Sequence, residues 1–225
     1  MTYQAVIFDL DDTLLDTFDA RVHALHQAFN NAGVTRLTAA EFLSNLRGIE
    51  LQQALSNHEM TSEIATELYD DYRKSYWTKK PGLINLYPSI EAMLRKLCNH
   101  GLKLGVVTQK RRQFEINGYL AGAMTELEEA GISDFFSAIV GFEDVTRTKP
   151  DPQGVQIALA RLVVSPNMAL VVGDSDADMG AARAAGCHGC HATWGIGPGY
   201  QLKDSQPHFV ADSPEALCQL IFRAG

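Results

Sequence analysis

The sequence has no long apolar run at its start and no surplus of positive charge. MTYQAVIFDLDD offers only a few apolar residues before its acids begin, unlike a secretion signal or a transmembrane span, so a cytoplasmic location without a membrane partner is expected. Lys and Arg total 19 against 27 Asp and Glu, a formal net charge of -8, and no basic run exceeds Lys110-Arg111-Arg112. A broad nucleic-acid footprint is therefore not expected, and a small molecule is the expected partner of a monomer or homodimer. Cysteine is scarce too. Cys98, Cys187, Cys190 and Cys218 are not needed as staples in a chain of 225 residues, and free thiols are expected. What is present is an ordinary globular composition: 46% hydrophobic and 20% charged residues exclude a disordered chain. The length suits one large α/β domain, or a moderate one carrying a smaller insertion.

Ala5-Val6-Ile7-Phe8 is a continuous apolar block, and β-rich blocks recur at 102–107, 138–140 and 169–172. Blocks of this kind suit a parallel sheet buried on both faces. Helix-like segments at 89–99, 124–130, 152–162 and 177–185 separate or follow them, three ending near Gly101, Gly131 and Gly186. Strand and helix alternate, which predicts a doubly wound, Rossmann-like α/β fold with a parallel sheet. One stretch breaks the alternation. From Thr17 to about Pro81 the pattern is helical without a convincing strand, as at 20–32, 39–46 and 62–77, and Pro81-Gly82 and Pro88 punctuate its end. The predicted division is a core domain at 1–16 and 84–225 and an inserted helical domain at 17–83.

In an open parallel sheet, ligands bind beyond the carboxyl ends of the strands. Reactive groups stand at four such places. The first block ends in Asp9-Leu10-Asp11-Asp12-Thr13 and the second in Thr108; the third leads to Thr148-Lys149-Pro150, and the fourth to Gly173-Asp174-Ser175-Asp176-Ala177-Asp178. Singly, an Asp after a strand is often only a helix cap, and a loop Thr or Lys is usually solvated. In this order and spacing the set is specific.

The chain resembles the haloacid dehalogenase superfamily of hydrolases over essentially its whole length. The family's first motif, DxDxT, reads DLDDT at 9–13; its second-motif Thr matches Thr108, its third-motif Lys matches Lys149, and its GDxxxD acids match Asp174 and Asp178. Where many relatives carry Asn after the second-motif Thr, this chain has Gln109, and the segment from Thr108 to Gly131 is longer than usual, with Asn117-Gly118 breaking it into a loop or an extra turn. The resemblance implies a helical cap between the first and second motifs, and among such enzymes the phosphoglycolate phosphatase-like ones are nearest. It implies phosphoester hydrolysis with magnesium, Asp9 acting as nucleophile through an aspartyl phosphate and Asp11 as general acid and base. Magnesium suits this because it takes hard oxygen ligands and bridges a carboxylate to a phosphate. The implied metal set is Asp9, Asp11 through its backbone carbonyl, Asp174 and Asp178, the last orienting a metal water or Lys149.

Lys149 adds positive charge where negative charge develops, and the Thr108 hydroxyl can donate to a phosphate oxygen. Thr108, Gln109 and Lys149 form the expected phosphate-side contacts. In the insertion, Arg47 beside Gly48 is the candidate substrate contact, and Lys110, Arg111 and Arg112 could attract an anion or simply begin a solvated helix. Two other patterns are decoys. Cys187-His188-Gly189-Cys190-His191 matches haem attachment, yet it stands where another strand is expected, and the EF-hand-like start at Asp174 fails at Met179 and Ala185. Asp11 argues against a true dehalogenase. A phosphomutase or 5'-nucleotidase of the same fold, or a catalytically silent metal- or phosphate-binding regulator, stays open.

Overall fold

The computed structural model describes residues 2–46, 51–57, 61–78, 82–195 and 202–223. These fall into two compact units, Met1–Asp16 with Asn85–Gly225, and Thr17–Ile84. The chain opens in the first unit with β1 (Ala5–Phe8) and the short β2 (Leu15–Asp16). It then builds the second unit from α1 (Phe18–Asn31), α2 (Ala39–Leu46), α3 (Leu51–Asn57) and α4 (Ser62–Trp77). On its return it forms β3 (Asn85–Leu86), α5 (Ile90–Asn99), β4 (Lys103–Val107), β5 (Phe114–Ile116), β6 (Tyr119–Ala121), α6 (Ala123–Glu129) and β7 (Phe136–Val140). It ends with α7 (Gln153–Leu162), β8 (Ala169–Gly173), α8 (Asp176–Ala184), β9 (His188–Ala192), β10 (Phe209–Ala211) and α9 (Pro214–Arg223).

Helix α5 shows why these segments fold as they do. Ile90, Met93, Leu94 and Leu97 recur at helical spacing and are all buried, while Glu91 and Arg95 pair across one turn on the exposed side. Burying each large aliphatic side chain contributes about 1.5–3 kcal/mol. An exposed ion pair contributes roughly 0.3–0.5 kcal/mol, so the apolar stripe decides the helix and its seat.

Six strands form one parallel sheet in the order β10-β9-β8-β1-β4-β7. The fold is the doubly wound α/β architecture read from the sequence. All four residues of β1 are buried, as a central strand with neighbours on both sides and helices on both faces requires. From β1 the chain moves outward through β4 to β7, then crosses to the other side of β1 and continues through β8 to β10. Strand order therefore reverses between β1 and β8, and the crevice at that switch is where a ligand site belongs.

The segment around Asn117-Gly118 is a hairpin rather than a bare loop: β5 and β6 pair antiparallel, and both turn residues have positive φ, 52° and 80°. A two-residue turn of that hand matches the twist of paired strands and favours Asn-Gly. The second unit has its own core of Leu25, Phe29, Phe42, Leu43, Leu55 and Leu68, with Phe29 and Phe42 edge to face at 5.8 Å. Among the described residues, no helix is long and apolar enough to cross a membrane.

Candidate active site

Asp9 is the first residue past β1. Its N–H donates to the Val172 carbonyl at 2.8 Å, so the chain stays beside β8 for one more residue before the loop of Asp11, Asp12 and Thr13 turns away. Asp12 takes φ 58°, and the Trp194 indole N–H donates to the Thr13 carbonyl at 2.8 Å, strapping the loop from outside. Asp174 is the first residue past β8. One residue later Ser175 caps α8, its Oγ accepting from the Asp178 N–H, while Asp178 Oδ2 accepts from the Ser175 N–H at 3.1 Å and from its hydroxyl at 2.5 Å. The reciprocal cap turns Asp178 back onto the strand end. A Cβ on Gly173 would lie 2.3 Å from Asp178 Cγ, so only a residue without a side chain lets that carboxylate settle there.

Lys149 ties these acids together. Its ammonium donates to Asp9 Oδ1, to Asp178 Oδ1 at 2.6 Å and to the Val107 carbonyl at 3.2 Å. Carboxylate oxygens of Asp9, Asp174 and Asp178 lie within 4.8 Å of one another, and all three residues are buried. Burial pushes Asp9 up to about 7, even though Lys149 pulls the other way, with Asp178 and Asp11 adding repulsion. Asp174 is raised well above the usual carboxylate range by burial and by the charges of Asp178 and Asp9. Burial opposes the charge on Lys149, but Asp178 and Asp9 outweigh it and hold the ammonium above its ordinary pKa. Three buried carboxylates thus face one ammonium, and negative charge is left over. That surplus, on hard oxygen donors, fits a divalent cation of the magnesium and calcium kind better than a thiolate- or imidazole-seeking metal.

Thr108 is the first residue past β4, buried, with its N–H on the Val140 carbonyl at 3.0 Å and its hydroxyl oxygen accepting from the Lys110 N–H at 3.1 Å. It lines a small cleft with Gln109, Thr148 and Lys149; Gln109 is exposed at its rim. Arg47 lies outside the described residues. Asp11 does not join the buried trio: its Oδ1 accepts from the Lys110 ammonium at 2.7 Å.

The basic run at 110–112 is neither a free anion-attracting patch nor a helix start. Lys110 also pairs with Glu126 at 2.7 Å, Arg112 pairs with Asp144 at 3.3 Å, and only Arg111 is exposed, beside the Phe114 ring. The segment runs into β5, not into a helix. Asp176 accepts backbone N–H bonds from Lys203, Asp204 and Ser205 at 2.8–3.0 Å, fastening that loop to α8.

Three residues near this site escape a reading by motif. Glu126 sits on the buried face of α6 with Ala123 and Leu127, a spacing that marks an acid on an apolar stripe. His191 is buried in β9, its Nε2–H on the Asp174 carbonyl at 3.1 Å, and burial lowers its pKa. Trp194 has no sequence cue, since its partner is a backbone carbonyl.

The model of the haloacid dehalogenase-like hydrolase family matches residues 6–192. A phosphoglycolate phosphatase of Vibrio vulnificus is 32% identical, over 96% of this chain and 95% of its own length. One from Yersinia pestis is 32% identical over 92% of this chain and 88% of its own. Among solved structures, a haloacid dehalogenase-like hydrolase from Streptococcus pneumoniae superposes with a TM-score of 0.81 at 25% identity, covering 97% of this chain and 98% of that one.

Proposed function

Because the chain belongs to the haloacid dehalogenase-like hydrolase family, we propose that it is a magnesium-dependent phosphatase acting on a small organic phosphomonoester through an aspartyl phosphate on Asp9. The observation that carries this reading is the buried arrangement in which Lys149 joins Asp9 to Asp178 with Asp174 beside them. The first substrate to try is 2-phosphoglycolate, on the strength of the phosphoglycolate phosphatases the chain resembles.

A carboxylate approaching a phosphoryl group meets like charge, and Asp9 succeeds only if that repulsion is offset. Asp9, Asp174 and the backbone carbonyl of Asp11, with Asp178 alongside, would hold magnesium, which when bound neutralises charge between carboxylate and phosphate. An Asp9 oxygen bonds to phosphorus as the bond to the leaving oxygen breaks, the electron pair going to that oxygen. Asp11 supplies the proton that the leaving oxygen takes up. It later accepts a proton from the water whose oxygen displaces Asp9 from phosphorus, releasing phosphate. Lys149 keeps Asp9 aimed and, with Thr108 and Gln109, binds the phosphoryl oxygens; Asp178 keeps Lys149 in place. The helical unit serves as a cap that selects the leaving group, with Arg47 its candidate contact.

The test is phosphate release from 2-phosphoglycolate and from 4-nitrophenyl phosphate, with magnesium, with chelator, and with Asp9→Asn. Turnover is expected only for the unmodified protein with magnesium. A folded protein that releases no phosphate from either ester under any of these conditions sinks the reading.

A further inference from the structure

The two lysines at this site divide the acids between them. Lys149 takes Asp9 and Asp178, and Lys110 takes Asp11 and Glu126, at 2.7 Å each. Glu126 is the unusual member. Its side chain is 2% exposed, on the inward face of α6, while the side chains of Lys110 and Asp11 are 14% and 28% exposed. A buried ion pair gives little net stability, because desolvating both charges costs about as much as their attraction returns. Its physical effect here is to fix the ammonium. Lys has a long, flexible stem, and Glu126 on one side with the Thr108 hydroxyl on the Lys110 N–H hold both ends of the residue in one place.

We propose that Lys110, anchored by Glu126, is a positioning residue for Asp11: it keeps the Asp11 carboxyl apart from the Asp9, Asp174 and Asp178 cluster, in the place from which it exchanges a proton with the leaving group. Without that hold, a fourth carboxylate two residues from the nucleophile would be drawn toward any cation in the cluster. Lys110 is not a substrate anchor, since two carboxylates already occupy its ammonium. The proposal rests on the phosphatase reading. In its step, the Asp9 oxygen forms its bond to phosphorus, the phosphorus to leaving-oxygen bond breaks, and that oxygen takes the Asp11 proton, leaving a carboxylate on Lys110.

The experiment exploits leaving groups. Glycolate leaves 2-phosphoglycolate poorly without a proton, whereas 4-nitrophenolate departs as a stable anion. Lys110→Met alone strands a buried carboxylate and is liable to unfold, so the variant measured is Lys110→Met with Glu126→Met, which leaves no unpaired buried charge. Its kcat/KM is expected to fall about 100-fold on 2-phosphoglycolate, the low end of a general acid's worth, and less than about threefold on 4-nitrophenyl phosphate. Equal losses on both esters, or no loss on either, overturn the proposal. An unmodified protein inactive on both esters instead removes the phosphatase reading, and this proposal with it.

Discussion

Asp9 illustrates the conflict at the level of one residue. Its folded-state pKa of about 7 lies above the ordinary 3.8, so between those values the native state holds a proton that the unfolded chain has released. Stability then falls as pH rises through that window, the opposite of a salt-bridged surface carboxylate. In chelator, Asp9→Asn removes the charge and with it part of this slope. The variant is expected to be about as stable as the unmodified protein at pH 5 and more stable at pH 8, by thermal unfolding, while releasing no phosphate. A variant less stable at pH 8 would mean that the attraction of Lys149 outweighs burial. The same conflict explains what was legible here. Asp9 and Asp174 stand just beyond strand ends and Lys149 in the loop between β7 and α7, where a reader looks, whereas the stripe on α6 marks Glu126 as a buried acid without naming its partner, and nothing local announces the contact of His191.

The turn from β8 into α8 carries the most information in the fewest residues. Gly173 clears the space, Asp174 faces Asp9, Ser175 caps the helix, and Asp178 both completes the cap and grips Lys149. Asp178, which the family resemblance implies as a site acid orienting a metal water or Lys149, is also the reciprocal cap of α8. Gly173→Ala forces the Asp178 carboxylate to move, because the new Cβ would stand 2.3 Å from its Cγ. Overpacking of this kind costs about 1–3 kcal/mol. Since a misplacement of about 1 Å can cost roughly 100-fold in rate, kcat is expected to fall by about that factor while circular dichroism stays native. Wild-type kcat in Gly173→Ala would show that Asp178 does not hold Lys149 for the reaction. Elements with long apolar blocks were legible in this way, as β1, β4, β7 and β8 are. The β5–β6 hairpin was read only as a break, because three-residue strands are too short to show alternation and only Asn117-Gly118 signals them. The short β2–β3 ribbon has two residues per strand and left no pattern at all.

For the molecule as a whole, a bound divalent ion and a net charge of -8 both predict that magnesium stabilises, and they must be separated. Screening acts on the whole surface, depends on ionic strength, and is met equally by potassium chloride. Site binding instead follows occupancy: at about 100 times its dissociation constant a ligand adds about 2.7 kcal/mol. In a chain of this length each kcal/mol moves Tm by roughly 2–4 °C, so a shift of about 5–11 °C is expected with magnesium beyond that in potassium chloride of matched ionic strength. The shift must also fade as pH falls below about 7, because protons then compete for Asp9, and for Asp174, whose pKa burial and its acidic neighbours also raise. Asp174→Asn, which leaves the surface charge almost unchanged, is expected to abolish it. A Tm gain that survives in Asp174→Asn, or that potassium chloride reproduces, would place the ion on the surface and leave the buried acids without a metal to hold.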